Sequence, residues 1–197
     1  MAKSRPKAGG RIILGIDPGT TVMGFGVLRV EGGTAHLLEA GAIRFPTADD
    51  HTQKLRAIFL HTSEIIARHA PEELAIEAQF FGKNVQSMLK LGRAQGVAIS
   101  AALHQNMSVV EYAPKRIKQS ITGNGNASKE QVAAMLLSIL RLSELPSSTD
   151  ATDAIAVAVC HHFAAGAIPV AVRRSTAKGT SDWGSFIRNN PDRIKKP

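Results

Sequence analysis

The first apolar run, Ile12-Ile13-Leu14-Gly15-Ile16, ends on an acid, Asp17. An unbroken Ile/Leu run of this length predicts a strand buried on both faces, hence a central one, at about 12–17. Pro18-Gly19 turns the chain, and further apolar runs predict strands at about 22–30 and 34–45. Glu31-Gly32-Gly33 supplies the turn between them, so the three strands form an antiparallel meander. Polar residues 46–50 carry helix-capping chemistry. Leu55, Ile58, Phe59, Ile65 and Ile66 then recur near helical spacing and predict a helix over 51–69, stopped by Pro71. Leu74-Ala75-Ile76-Glu77 is a second short buried strand that ends on an acid. A strand–helix–strand crossover makes it parallel to the first, which would set Asp17 and Glu77 at one edge of the sheet.

The remaining pattern predicts a helix over 84–104, a parallel strand over 108–112 and a short basic helix over 114–121. A glycine–asparagine loop follows at 123–126, then a helix over 128–141 with Ser128 as N-cap and Gln131 three residues on. A loop at 145–149 leads to a last helix over 150–165. Gly92 and Gly96 lie about one turn apart among alanines and form a small face that admits another helix closely. Such a face serves packing inside a domain more often than contact between two copies. The sum is an α/β layered architecture, a five-stranded mixed sheet with helices on both faces.

Charge changes the picture at the two ends. The 197 residues carry a formal net charge of +8. Residues 1–11 hold Lys3, Arg5, Lys7 and Arg11 and no acid, while 166–197 hold seven basic residues and two acids. The stretch between them is near neutral. The expected organisation is therefore a disordered basic extension at 1–11, a domain at 12–165 and a basic mobile tail at 166–197. Cationic ends beside a neutral core suit a nucleic-acid binder that gains affinity by counterion release, and equally suit a plain solubility tail. One cysteine, Cys160, excludes a disulfide scaffold or zinc-finger spacing and is expected to be a small buried hydrophobe. The polar, basic first ten residues lack a leader's apolar stretch, and no apolar run is long enough to cross a bilayer. A reducing, cytoplasmic setting is the expectation.

Candidate chemistry lies in the acids. Asp150 and Asp153 are spaced i,i+3 on one face of the last helix, in its first turn. Each acid alone has a mundane reading: Asp150 and Asp153 as helix-end acids, Asp17 as a turn residue, Glu77 as a strand-end surface group. Together, three separate elements bring acids to the carboxyl edge of the sheet. Crowded carboxylates raise one another's pKa and are tolerated where a divalent cation neutralises them. Oxygen ligands without a Cys/His cluster favour Mg²⁺ or Mn²⁺, and two such ions about 3.5–4 Å apart would serve phosphodiester hydrolysis. A basic protein with such a centre is most simply a nuclease.

Four segments, LGIDPGTTVMGFGV, AIEAQFFGKNVQSMLKLGRAQGVAI, YAPKRIKQSITGNGNASKEQV and DATDAIAVAVCHHF, closely resemble the bacterial RuvC-type Holliday junction resolvases, in order and with matching gaps. The resemblance covers about residues 12–165 and leaves both basic ends outside it. It implies a ribonuclease-H-like fold and a homodimer that resolves four-way DNA junctions with Mg²⁺ or Mn²⁺, in recombination and repair. It implies paired nicks in strands of like polarity, leaving 5′-phosphate and 3′-hydroxyl ends, and partnership with RuvA and RuvB. Carried over by motif, Asp17, Glu77, Asp150 and Asp153 would be the catalytic, metal-holding acids. Some family members have His where Asp150 stands, so that position should tolerate replacement better.

The resemblance also makes Phe80 a base-stacking aromatic, with Phe81 as the competing choice, and Lys118 and Lys129 phosphate contacts near the cut. Lys115, Arg116 and Lys83 are further candidates for DNA binding, and Lys90 and Arg93 extend the same surface; a solvated helix face is the competing reading for all of them. His161 and His162 lie at least two turns from Asp153 and are expected to be packing or surface residues rather than ligands. Two rivals bear weighing. Asp17 to Thr21 also matches the phosphate loop of the actin and sugar-kinase ATPases, but this chain holds one copy where those proteins duplicate the fold. A junction-binding module that no longer cuts would not need all four acids.

Overall fold

The computed structural model describes residues 10–79 and 84–166. The expectations for 1–9, Phe80, Phe81, Lys83 and the tail from 167 lie outside the described residues. Strands β1 (Arg11–Asp17), β2 (Val22–Glu31) and β3 (Thr34–Arg44) form the antiparallel meander. Glu31 pairs with Thr34, so only Gly32 and Gly33 close the hairpin, both at positive φ (55° and 83°). That turn twists with its strands, and glycine reaches it without strain. β3 stops at Arg44, one residue before the expected end. Phe45 leaves the ladder, donates its N–H to the Thr21 carbonyl at 2.9 Å and buries its ring.

Helix α1 (His51–His69) opens on a capping box: the Asp50 carboxylate accepts from the Gln53 N–H at 2.8 Å, and the Gln53 side chain accepts from the Asp50 N–H at 2.7 Å. β4 (Glu73–Glu77) lies parallel to β1, and after α2 (Val85–His104) β5 (Ser108–Tyr112) lies parallel to β4. The sheet order is β3-β2-β1-β4-β5. Three helices follow: α3 (Pro114–Thr122), α4 (Lys129–Leu140) and α5 (Thr149–Gly166). α4 begins one residue after Ser128, because that residue is the extended N-cap, and ends before Arg141, which turns left-handed at φ 54°.

The alternation of strand side chains divides two cores. Leu14, Ile16, Leu74 and Ile76 face α1 and α2, against Ile58, Ile65 and the alanines at 94, 98, 101 and 102. Ile13, Leu28 and Ala75 face α3, α4 and α5. Along α5 every residue from Ala154 to Cys160 is buried, so this helix is covered all round, as its apolar composition requires. It reaches that depth over a column of strand glycines. A Cβ on Gly15 would collide with the Ala154 carbonyl, one on Gly24 with the Asp150 carbonyl, and one on Gly26 would stand 2.9 Å from Ile155. The helix backbone therefore rests almost directly on the sheet backbone, and its first turn is held over the end of β1.

Gly92 and Gly96 correct an expectation. Nothing lies within 4 Å of a Cβ built on either, so their face of α2 opens outward and packs against no other helix of the described domain.

Candidate active site

β1 and β4 run parallel, and their last pair in register is Ile16 with Ile76. Asp17 and Glu77 are the next residue on each strand, so they stand side by side at the carboxyl edge. Each is two residues beyond one that faces α5, Gly15 and Ala75, and so shares that face. Asp17 pairs across β2 with Gly24, and the Asp150 backbone lies on Gly24. The glycine column thus delivers the first turn of α5 to Asp17. Asp17, Glu77 and Asp153 line one cleft of about 370 Å³ with Lys118 and Lys129 opposite, floored by Pro114, Ile117, Val132 and Ala156.

The electrostatics follow from this crowding. Burial, then the charges of Glu77, Asp153 and Asp150, push the Asp17 carboxyl up to about 7, with Lys129 pulling the other way. Burial and the neighbouring Asp153 also raise Glu77, offset by Lys129 and Lys118. Lys129 donates to Asp153 Oδ2 at 2.6 Å, and this bond raises the ammonium's own pKa. Among the described residues no three acidic, imidazole or thiol groups are gathered tightly enough to chelate an ion as they stand. The cation that meets Asp153 is Lys129. The donor chemistry nevertheless fits a hard divalent ion: carboxylate oxygens only, in excess of the positive charge beside them, with one held partly protonated near neutrality.

Asp150 does not line the cleft. It accepts from the Ser148 hydroxyl at 3.2 Å, and its charge reaches Asp17 and Lys129 from the rim. The basic residues divide. Lys118 and Lys129 face the acids. Lys115 packs along Gly125, outside the cleft lining. The Arg116 charge acts on Tyr112 and Cys160 instead. Lys90 lines a separate polar cavity of about 410 Å³ with Thr20, Thr21 and Lys54, and so does not add to the cleft surface. Cys160 is buried.

His161 is a packing residue, in a buried chain of bonds. Its Nε2 donates to the Glu73 carboxylate at 2.7 Å, which leaves Nδ1 to accept from the Tyr112 hydroxyl at 2.8 Å. Sequence reasoning missed Gln95. Its amide donates to the Glu77 carbonyl at 3.3 Å and to the Glu111 carboxylate at 2.6 Å, and so ties the strand end that carries Glu77 to α2. A lone glutamine on a helix face of buried alanines was the available signal. The alternating glycines of β1 and β2 were the signal for the close seat of α5.

A ribonuclease-H-like sheet with acids gathered at its carboxyl edge and lysines facing them suits a nuclease, and the comparisons with known proteins narrow the class to the junction resolvases. The family profile described as crossover junction endodeoxyribonuclease RuvC matches residues 13–161. The chain belongs to that family. A relative of that name from Cytophaga hutchinsonii is 53% identical over 98% of this chain and 92% of its own length, and one from Christiangramia forsetii is 50% identical over 99% and 100%. The family profile leaves both basic ends outside its match, as expected, while the alignments with these individual relatives extend over most of both ends. The Thermus thermophilus RuvC structure superposes with a TM-score of 0.73 at 35% identity, covering 79% of this chain and 95% of that one. The same protein in complex with a Holliday junction substrate gives 0.72 at 33% identity, over the same shares of the two chains. A yeast mitochondrial resolvase, at 11% identity and a TM-score of 0.60 over 79% of this chain and 78% of its own, shares the fold. The family's chemistry depends on a divalent metal.

Proposed function

We propose that this chain binds four-way DNA junctions and resolves them by paired, symmetric nicks in strands of like polarity, in homologous recombination and repair. The observation that carries the reading is the single cleft shared by Asp17, Glu77 and Asp153 with two lysines opposite. Asp17, Glu77 and Asp153, with Asp150 at the rim, would hold Mg²⁺ or Mn²⁺, two ions to a site. Bound there, such ions supply Lewis-acid charge to the attacking and leaving oxygens of a phosphodiester. Lys118 and Lys129 seat the phosphate opposite the acids, and the nonpolar floor of Ile117, Val132 and Ala156 limits water to the reacting face. The new bond joins a water oxygen to phosphorus and the bond to the 3′-oxygen breaks, giving 5′-phosphate and 3′-hydroxyl ends. Lys115 and Arg116 lie outward of this seat and contact more distant phosphates; in the same reading Phe80 stacks on bases at the junction centre and Lys83 adds to the phosphate-binding surface.

Two coordinated cuts need two sites, so the active species is a homodimer. The face of α2 that holds Gly92 and Gly96 also exposes Val85, Leu89 and Leu103, at 65%, 53% and 56%. These positions fall on interleaved seven-residue spacings, Val85 with Gly92 and Leu89 with Gly96 and Leu103, as a helix seam requires. The glycines let the same helix of a second copy approach closely. Among the described residues no helix is long and apolar enough to cross a membrane, and the cytoplasm, beside RuvA and RuvB, is the proposed setting. The basic ends add phosphate contacts outside the domain.

The test is Asp17→Asn in a junction assay. It should keep junction affinity and lose cutting by at least about 100-fold, since the acid serves ions and not the DNA backbone. Cutting at the wild-type rate would show that the site is elsewhere.

A further inference from the structure

We propose that Lys129 exchanges partners: its ammonium neutralises Asp153 in the free protein and moves to a DNA phosphate in the complex, so that DNA binding opens the acidic site to its divalent ion. This rests on the nuclease reading above and adds to it a coupling between the two ligands.

Three observations support the exchange. The Lys129 Nζ lies 2.6 Å from Asp153 Oδ2, and Lys129 makes no other hydrogen bond or ion pair among the described residues. An oxygen bonded to an ammonium is withheld from an ion, and the fixed positive charge repels an ion from the neighbouring acids. Second, Lys129 is the first residue of α4, where a cation opposes the helix dipole. The helix start itself is secured by the Ser128–Gln131 capping box, so the lysine contributes nothing to holding α4 in place. Its position is explained by what it faces. Third, the side chain is free to move. It is 62% exposed, and with Asp153 it forms the wall between the catalytic cleft and a second cavity of about 220 Å³ that includes Ser147, Thr149 and Thr152. The capped backbone is a fixed pivot, and four methylenes carry the charge from one side to the other.

By linkage, if DNA removes Lys129 from Asp153 and so strengthens ion binding, the ion strengthens DNA binding by the same factor. The free protein then holds its ions weakly, and the hydrolytic site assembles on the substrate.

Mn²⁺ binding read by the electron paramagnetic resonance of the free aquo ion tests this without reference to activity. Lys129→Met keeps the stem and removes the charge. In the free protein it should bind Mn²⁺ about fivefold more tightly than wild type, the upper range for an exposed ion pair. Lys118→Met, which removes a cleft lysine that acts on Glu77 through its charge but bonds no carboxylate among the described residues, should gain less, about twofold. On a saturating four-way junction with hydrolysis-resistant linkages at the branch point, the gap between wild type and Lys129→Met should close. Equal affinity of the two in the free protein, an equal gain in Lys118→Met, or a gap that survives on DNA would each overturn the exchange. Failure of the underlying reading has a different signature: no Mn²⁺ bound by wild type with or without junction, or undiminished binding by Asp17→Asn.

Discussion

Neutralising Asp17 should stabilise the metal-free protein, and the size of the effect depends on pH. The carboxyl is buried against three other acids and titrates near 7, against an ordinary value of 3.8. Below pH 3.8 both folded and unfolded chains hold the proton, and the site costs nothing. Between 3.8 and 7 the unfolded chain releases the proton while the folded one keeps it, so the cost of folding grows with pH and levels off above about 7. A displacement of about three units corresponds to about 4 kcal/mol. Burial is the largest cause and belongs to Asp17 alone, while the repulsion is shared with Glu77, Asp153 and Asp150, so about 2 kcal/mol is a lower figure for Asp17, or roughly 4–8 °C for a domain of this size. Thermal unfolding in EDTA should therefore show Asp17→Asn above wild type by that margin at pH 8, with the curves converging toward pH 4. Adding Mg²⁺ should raise wild type toward the variant and leave the variant nearly unmoved. A variant no more stable than wild type at pH 8, or a gap that widens toward acid, would refute the crowding on which the site is built.

Other consequences are independent of this one. Gly24→Ala places a methyl group against the Asp150 carbonyl and should displace the first turn of α5, lowering cleavage by at least about 100-fold while the fold is retained, as circular dichroism would show. Glu39 is held below the usual carboxylate range by hydrogen bonds from His69 and Arg68. Its stabilising contribution is present above the unfolded carboxylate pKa and lost as pH falls through the lower folded value. Glu39→Gln should flatten the acid limb of the stability curve and leave cutting at neutral pH unchanged. Leu89→Glu puts a charge on the outward seam of α2 and should give a monomer in analytical ultracentrifugation that binds one face of a junction without paired cuts.

The strand directions and the shared edge of Asp17 and Glu77 were readable because each rests on local pattern plus one rule. A buried run ending on an acid, a helix, and a second such run leave little freedom once the crossover makes the strands parallel. What escaped the sequence was tertiary. Gly24 pairs with Asp17 and bears the Asp150 backbone, although Asp150 is far along the chain; no local window contains that contact. Gln95 reads as an ordinary helix residue until the Glu77 carbonyl and Glu111 meet it. Gly92 and Gly96 were read inward because a glycine carries no hydropathy to tell the core side of a helix from the outer side. The basic run at 115–118 looked like one surface, yet a helix distributes its side chains around its axis, and of these three cations only Lys118 lines the cleft.

The most direct test of the central claim is a mapped digestion. The purified protein, incubated with a synthetic four-way junction and Mn²⁺ or Mg²⁺ and analysed with each strand end-labelled in turn, should yield two cuts at symmetric positions in strands of like polarity, with ends that ligase reseals. A junction fully bound but uncut in both metals, or cut at unrelated positions in all four strands, would contradict the assignment of this acidic edge as a resolving site.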